Sequence, residues 1–103
     1  MKDENRYVGI DNDLKGGMTA TGKIIRDAWT FGLIPETETC EGWRAEGIED
    51  LWRRVNLEWE KVGFRVGNLP PETRERFLRI QDAAVERAKS AGWSGDDELA
   101  DDA

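Results

Sequence analysis

The sequence predicts an all-α fold, a small three-helix domain, on three observations. Ile48, Leu51, Trp52, Val55, Trp59 and Val62 recur at three-, four- and seven-residue steps, so they share one helical stripe with charged residues opposite. Segments before and after it carry apolar residues at the same period and give that stripe something to lie against. The one short cluster that reads as extended, Tyr7 to Ile10, finds no convincing strand partner later in the chain. A length of 103 residues holds one domain with a single modest core. Five tryptophans, each able to bury roughly 150–250 Å², can seed it.

In chain order, residues 1–18 are expected to form an irregular N-terminal arm, broken by Asp11-Asn12-Asp13 and Gly16-Gly17. The helical domain follows over 19–93. Thr19 or Thr21 caps a first helix, 19–32, lined on one side by Ile24, Ile25, Ala28 and Trp29. Gly32 ends it, Leu33 is placed to fold back on the last turn, and Ile34-Pro35 prevents the helix from resuming. The run Ala28 to Pro35 contains no charge, so either this domain or a partner must cover it.

After a connector broken by Thr37, Thr39 and Gly42, the central helix spans 44–62 and stops at Gly63. Its Glu49 and Arg53, and its Asp50 and Arg54, are spaced for exposed ion pairs. Pro70-Pro71-Glu72 opens the last helix, 71–91, because proline in a first turn forfeits no hydrogen bond. Phe77, Ile80, Ala84, Ala88 and Ala91 form its stripe, and the alanines let a neighbouring backbone approach closely. Glu72 with Arg76 and Glu75 with Arg79 support the exposed side, and Gly92 closes the helix. Residues 94–103 carry too little apolar surface to offset ordering entropy and read as a disordered acidic tail.

The net charge of −7 is unevenly placed: five of those negative charges fall in 95–103, the segment 36–50 is acidic, and 63–93 is slightly basic. A pI near 4.6 opposes nonspecific phosphate binding, which needs Lys and Arg to displace counterions. Cys40 is the only cysteine, which excludes an intramolecular disulfide and a secreted disulfide scaffold. With no apolar run of signal-peptide or membrane-span length, a soluble cytoplasmic protein is expected.

Two segments approach known motifs and fail on a specific residue. Gly17-Met18-Thr19-Ala20-Thr21-Gly22-Lys23 fits a phosphate-loop spacing, but Ile24 stands where a magnesium-holding Ser or Thr belongs and no strand feeds the loop. Asp11, Asp13 and Gly16 match three places of a calcium loop, but Lys15 and Gly22 occupy places that need oxygen ligands. Glu38 and Glu41 oppose ionisation of the Cys40 thiol, and the chain has no histidine to activate it or any other nucleophile. No catalysis, cofactor or metal site is therefore expected.

Trp52 and Trp59 share the phase of Leu51 and Val55 and read as core rather than as a stacking platform. Three short helices leave other apolar residues over, which predicts a partner-binding patch at Trp29, Phe31, Leu33 and Ile34 with Trp43 beside it. The expected function is that of a small cytoplasmic accessory or regulatory protein that contacts another protein. The alternative is a nucleic-acid-binding regulator using Arg76, Arg79 and Arg87 on the last helix, with Arg74 and Lys89 nearby. Glu72, Glu75, Asp82 and Glu86 interleave with those cations and favour a solvated, salt-bridged face.

Overall fold

The computed structural model describes residues 6–93. The tail expected over 94–103 and the first five residues of the arm lie outside the described residues. Three α-helices form as the periodicity predicts: α1, Ala20–Thr30; α2, Ala45–Lys61; and α3, Pro71–Ser90. Among the described residues the only extended pairing is a single bridge between Arg6 and Arg44.

The helix ends follow from local chemistry. The Thr19 hydroxyl accepts from the Gly22 amide at 3.0 Å and satisfies one of the free donors of the first turn of α1. At the other end Gly32 takes a φ of 72° that a side chain would resist. The chain then reverses, so that the Leu33 amide donates to the Ala28 carbonyl at 2.9 Å and the Gly32 amide to that of Trp29 at 3.1 Å. α2 and α3 close with the same reversal, through Phe64 onto Trp59 and Trp93 onto Ala88. Each time the residue after the glycine is apolar.

The organising helix is α1 rather than α2. It packs against both of the others, and it buries Ile25, Ala28 and Thr30 together with the charged pair Arg26 and Asp27. α2 supplies Leu51, Val55 and Trp59 to the core. The Trp59 indole meets Phe31 edge-on at 5.2 Å and Phe77 at 5.8 Å, which ties the end of α1 to α2 and α3. Trp52 departs from the expectation: it is 48% exposed. One residue beyond Leu51 is about 100° around the helix, and at that border α1 does not cover it.

The arm is irregular, as expected, but it is docked. Tyr7 and Gly42 to Trp43 exchange backbone hydrogen bonds of 2.8 Å, and the Ile10 amide donates to the Thr39 carbonyl at 3.1 Å, so the connector is the partner that the sequence did not reveal. Ile10 enters the core. Two 3₁₀ turns follow, Ile10–Asn12 and Leu14–Gly17, and the second lies against α3.

Several exposed ion pairs differ from those expected. Arg79 makes a two-pronged pair with Glu36 at 2.9 and 3.1 Å, and Arg76 donates to the Thr30 carbonyl at 2.8 Å. Arg53 reaches Asp50 at 3.5 Å. A partner held across the fold can position a guanidinium better than a mobile neighbour on the same helix.

Asp13 pins the arm. One carboxylate oxygen accepts from the Tyr7 and Thr19 hydroxyls, both at 2.6 Å, and the other from the Leu14 amide at 2.7 Å. Burial acts to raise its pKa, but the Thr19, Tyr7 and Leu14 hydrogen bonds outweigh it and hold Asp13 below the usual carboxylate value. A carboxylate lowered in the folded state contributes stability above its unfolded pKa and loses it as pH falls through the lowered value. Resistance to urea unfolding is therefore expected to fall progressively below about pH 4. Asp13→Asn should be less stable at neutral pH yet show a flatter acid limb. Parallel limbs for the two chains would remove Asp13 from the explanation.

Candidate functional site

The five residues expected to form a partner patch are all half-buried against the core. The Trp29 indole donates to the Glu38 carbonyl at 3.0 Å, and Phe31 leans on Trp59. Leu33 closes α1, Ile34 follows it, and the Trp43 ring lies 3.3 Å from where a Gly47 side chain would begin. Trp29, Phe31, Leu33 and Trp43 face four different hollows, so the structure does not bring them together. The uncharged run is partly covered by its own domain, because the reversal at Gly32 and the Trp29 hydrogen bond fold it back.

The apolar residues that do share an open surface lie elsewhere. Between α1, α2 and the loop after α2 runs a groove of about 480 Å³, within the range of small-ligand sites. Trp52, Trp59, Phe64 and Phe77 wall it, with Ile24 and Val66 between them. Trp52 also borders a neighbouring groove of about 520 Å³ that contains Trp43 and Ile48, and so stands as a ridge between the two.

Asp27 belongs to the lining of the aromatic groove and is only 3% exposed. Its Oδ2 accepts from the Trp59 indole at 3.0 Å and from Lys23 Nζ at 2.9 Å. Its Oδ1 meets no donor among the described residues. A buried carboxylate with unused acceptor capacity is costly unless paired. Lys23 supplies that pairing from a side chain that is 62% exposed, four residues back on α1. A carboxylate in a groove lined by aromatic rings is suited to a cation, which the carboxylate charge and the aromatic lining can attract together.

Phe64 forms the outer lip. It is 58% exposed and has a φ of 60°, a conformation that is a rare outlier for a bulky side chain and costs about 1 kcal/mol or more. It sits at the reversal that ends α2, where the Phe64 amide is held on the Trp59 carbonyl at 2.9 Å, but Leu33 and Trp93 at the equivalent places do not share its φ.

The remaining candidates are structurally engaged. Lys23 of the phosphate-loop-like segment serves Asp27, and Asp11 of the calcium-loop-like turn pairs with Arg87 at 2.6 Å. Cys40 is fully buried, and burial, reinforced by Glu38, pushes its thiol up to about 11, away from thiolate chemistry. On α3, Arg76, Arg79 and Arg87 are held by Thr30, Glu36 and Asp11. Among the described residues no helix is long and apolar enough to cross a membrane.

Asp27, Lys23, Trp52 and Phe64 were not singled out as a site from the sequence. The available signal was the pair Arg26-Asp27 set between Ile25 and Ala28, two charges in the middle of an apolar turn. No known protein family matches the chain, and no curated protein or solved structure matches it.

Proposed function

We propose that this chain is a small cytoplasmic accessory protein that binds another protein by taking a lysine or arginine side chain, set in an apolar segment of that partner, into the aromatic groove. The observation that carries the reading is Asp27, buried in the lining it shares with Trp52, Trp59, Phe64 and Phe77, with Oδ1 unpartnered among the described residues and Oδ2 held by a lysine whose side chain is largely exposed. An incoming cation takes the place of Lys23 over the carboxylate. Its stem and flanking apolar residues cover Trp52 and Phe64, the kind of aromatic anchors that dominate protein interfaces. The net charge of −7 supports the same choice, since it steers a basic partner toward the chain. The arginines of α3 offer less to a nucleic acid, being tied to acceptors of the chain itself.

An NMR titration tests this with two capped pentapeptides, one carrying a single lysine between leucines and the other norleucine in its place. The lysine peptide should shift the Trp52 and Trp59 indole signals saturably and bind roughly tenfold more tightly than the norleucine peptide. Phe64→Ala, which removes an exposed ring, should stay folded and weaken that binding. Equal affinity for the two peptides, or no saturable shift with either, would show that the groove does not select a cation.

A further inference from the structure

On the opposite side of α1 from Asp27's partners, a separate cavity of about 140 Å³ lies between the arm, α1 and α3, comparable in size to cavities that hold a benzene-sized guest. Its apolar lining includes Ile10, Trp29, Ile80 and Ala84. Arg26, only 6% exposed, also lines it. Arg26 Nη1 donates to the Gly17 carbonyl at 2.8 Å, while Nε meets no acceptor among the described residues. The other two cations of the cavity are already matched, Arg79 by Glu36 and Arg87 by Asp11. The neighbouring Asp27 carboxylate holds Lys23 and Trp59 through Oδ2 and makes no hydrogen bond to Arg26 among the described residues. One buried guanidinium is thus left with a backbone carbonyl as its direct partner.

The geometry points to a binding site for a small monocarboxylate with a short apolar body, its carboxylate on Arg26 and its body against Ile10, Ile80 and Ala84. A planar carboxylate matches the guanidinium fork, and a buried donor without an acceptor gains most from an anion brought alongside. Burial lowers the Arg26 pKa against the opposing field of Asp27, and an anion in the cavity would offset that same desolvation. One guanidinium short of an acceptor calls for a single negative charge, and the Glu36 carboxylate in the lining, with the alkyl and alanine walls, disfavours a strongly hydrated tetrahedral dianion.

The test uses the full chain with butyrate, butyramide and inorganic phosphate as probes, read by the Arg26 Nε–H resonance and by thermal unfolding. Butyrate is expected to move the Arg26 resonance saturably with a Kd on the order of 0.1–1 mM, and to raise Tm by a few degrees at about ten times that concentration. Butyramide and phosphate should do neither. Ala84→Leu, which fills the cavity without removing a charge, should abolish the butyrate response, with Ala83→Leu as the second variant should the first fail to fold. The proposal is overturned by an equal response to butyramide, by a response to phosphate alone, by no response to any probe, or by undiminished butyrate binding in a folded, filled-cavity variant. None of these outcomes bears on the aromatic groove, whose residues the cavity does not share.

Discussion

Trp59→Ala is expected to destabilise the chain by about 3–5 kcal/mol, the range for removing a large buried aromatic. That is a large part of the roughly 5–15 kcal/mol typical of a whole domain, and it should lower Tm by more than about 15 °C. Three losses coincide there. The indole is 9% exposed and belongs to the core, it packs in T-shaped contact with Phe31 and Phe77, and its N–H donates to Asp27 Oδ2. Trp59→Phe separates them: it keeps most of the ring contact and removes the donor, and should cost about 1–3 kcal/mol, the penalty for a buried acceptor deprived of its partner. Urea or thermal unfolding of both variants supplies the comparison. If the alanine variant loses less than the phenylalanine variant is expected to, Trp59 is not the residue that joins the three helices.

Gly16→Ala is expected to be nearly as damaging, although the site is in an arm with no regular structure beyond its short turns. Gly16 has a φ of 63°, where alanine is strained by about 1–2 kcal/mol. The new methyl would also stand 2.6 Å from the Ala88 Cα and 3.2 Å from the Ala91 methyl, an overlap with backbone that costs a further 1–3 kcal/mol or so. The two effects together predict a loss of about 2–5 kcal/mol and separation of the arm from α3. The amide exchange of residues around Ile10 should accelerate more than that of α2. A fall in Tm below about 4 °C, less than 1 kcal/mol for a chain of this size, would mean that the arm is not seated on α3.

These two residues also show what could be read from the sequence and what could not. Trp59 was legible because a helix repeats every 3.6 residues, so its phase with Leu51 and Val55 told which way it faced. Trp52 sits near the same phase but at the edge of the stripe, and only the placement of α1 decides that it is left half-open. The alanines of α3 announced a close approach. That the approaching backbone is Gly16 of the arm, rather than another helix, depends on a tertiary contact with no periodic signature. The dispersal of Trp29, Phe31, Leu33 and Trp43 over separate hollows has a related reason. Apolar residues around a helix end read as surplus in the sequence, whereas the glycine reversal at the end of α1 turns them toward the core, and large exposed rings stand at Trp52 and Phe64. Asp27 was missed because a lysine four residues before an aspartate resembles an ordinary surface pair. Its burial shows only once Trp59 of α2 is laid over it.

For the groove to take a guest cation, Lys23 must be a placeholder over Asp27. The most direct measurement is the affinity of the lysine peptide for Lys23→Met, with the folded state verified by its NMR spectrum. Methionine covers similar apolar surface but cannot hold the carboxylate, so the guest no longer has a resident ammonium to displace. The peptide should bind roughly three- to tenfold more tightly than to the wild-type chain and should restore part of the stability lost with the ion pair. Unchanged or weaker binding to the folded variant would mean that the guest cation does not sit over Asp27, and would contradict the proposed use of the groove.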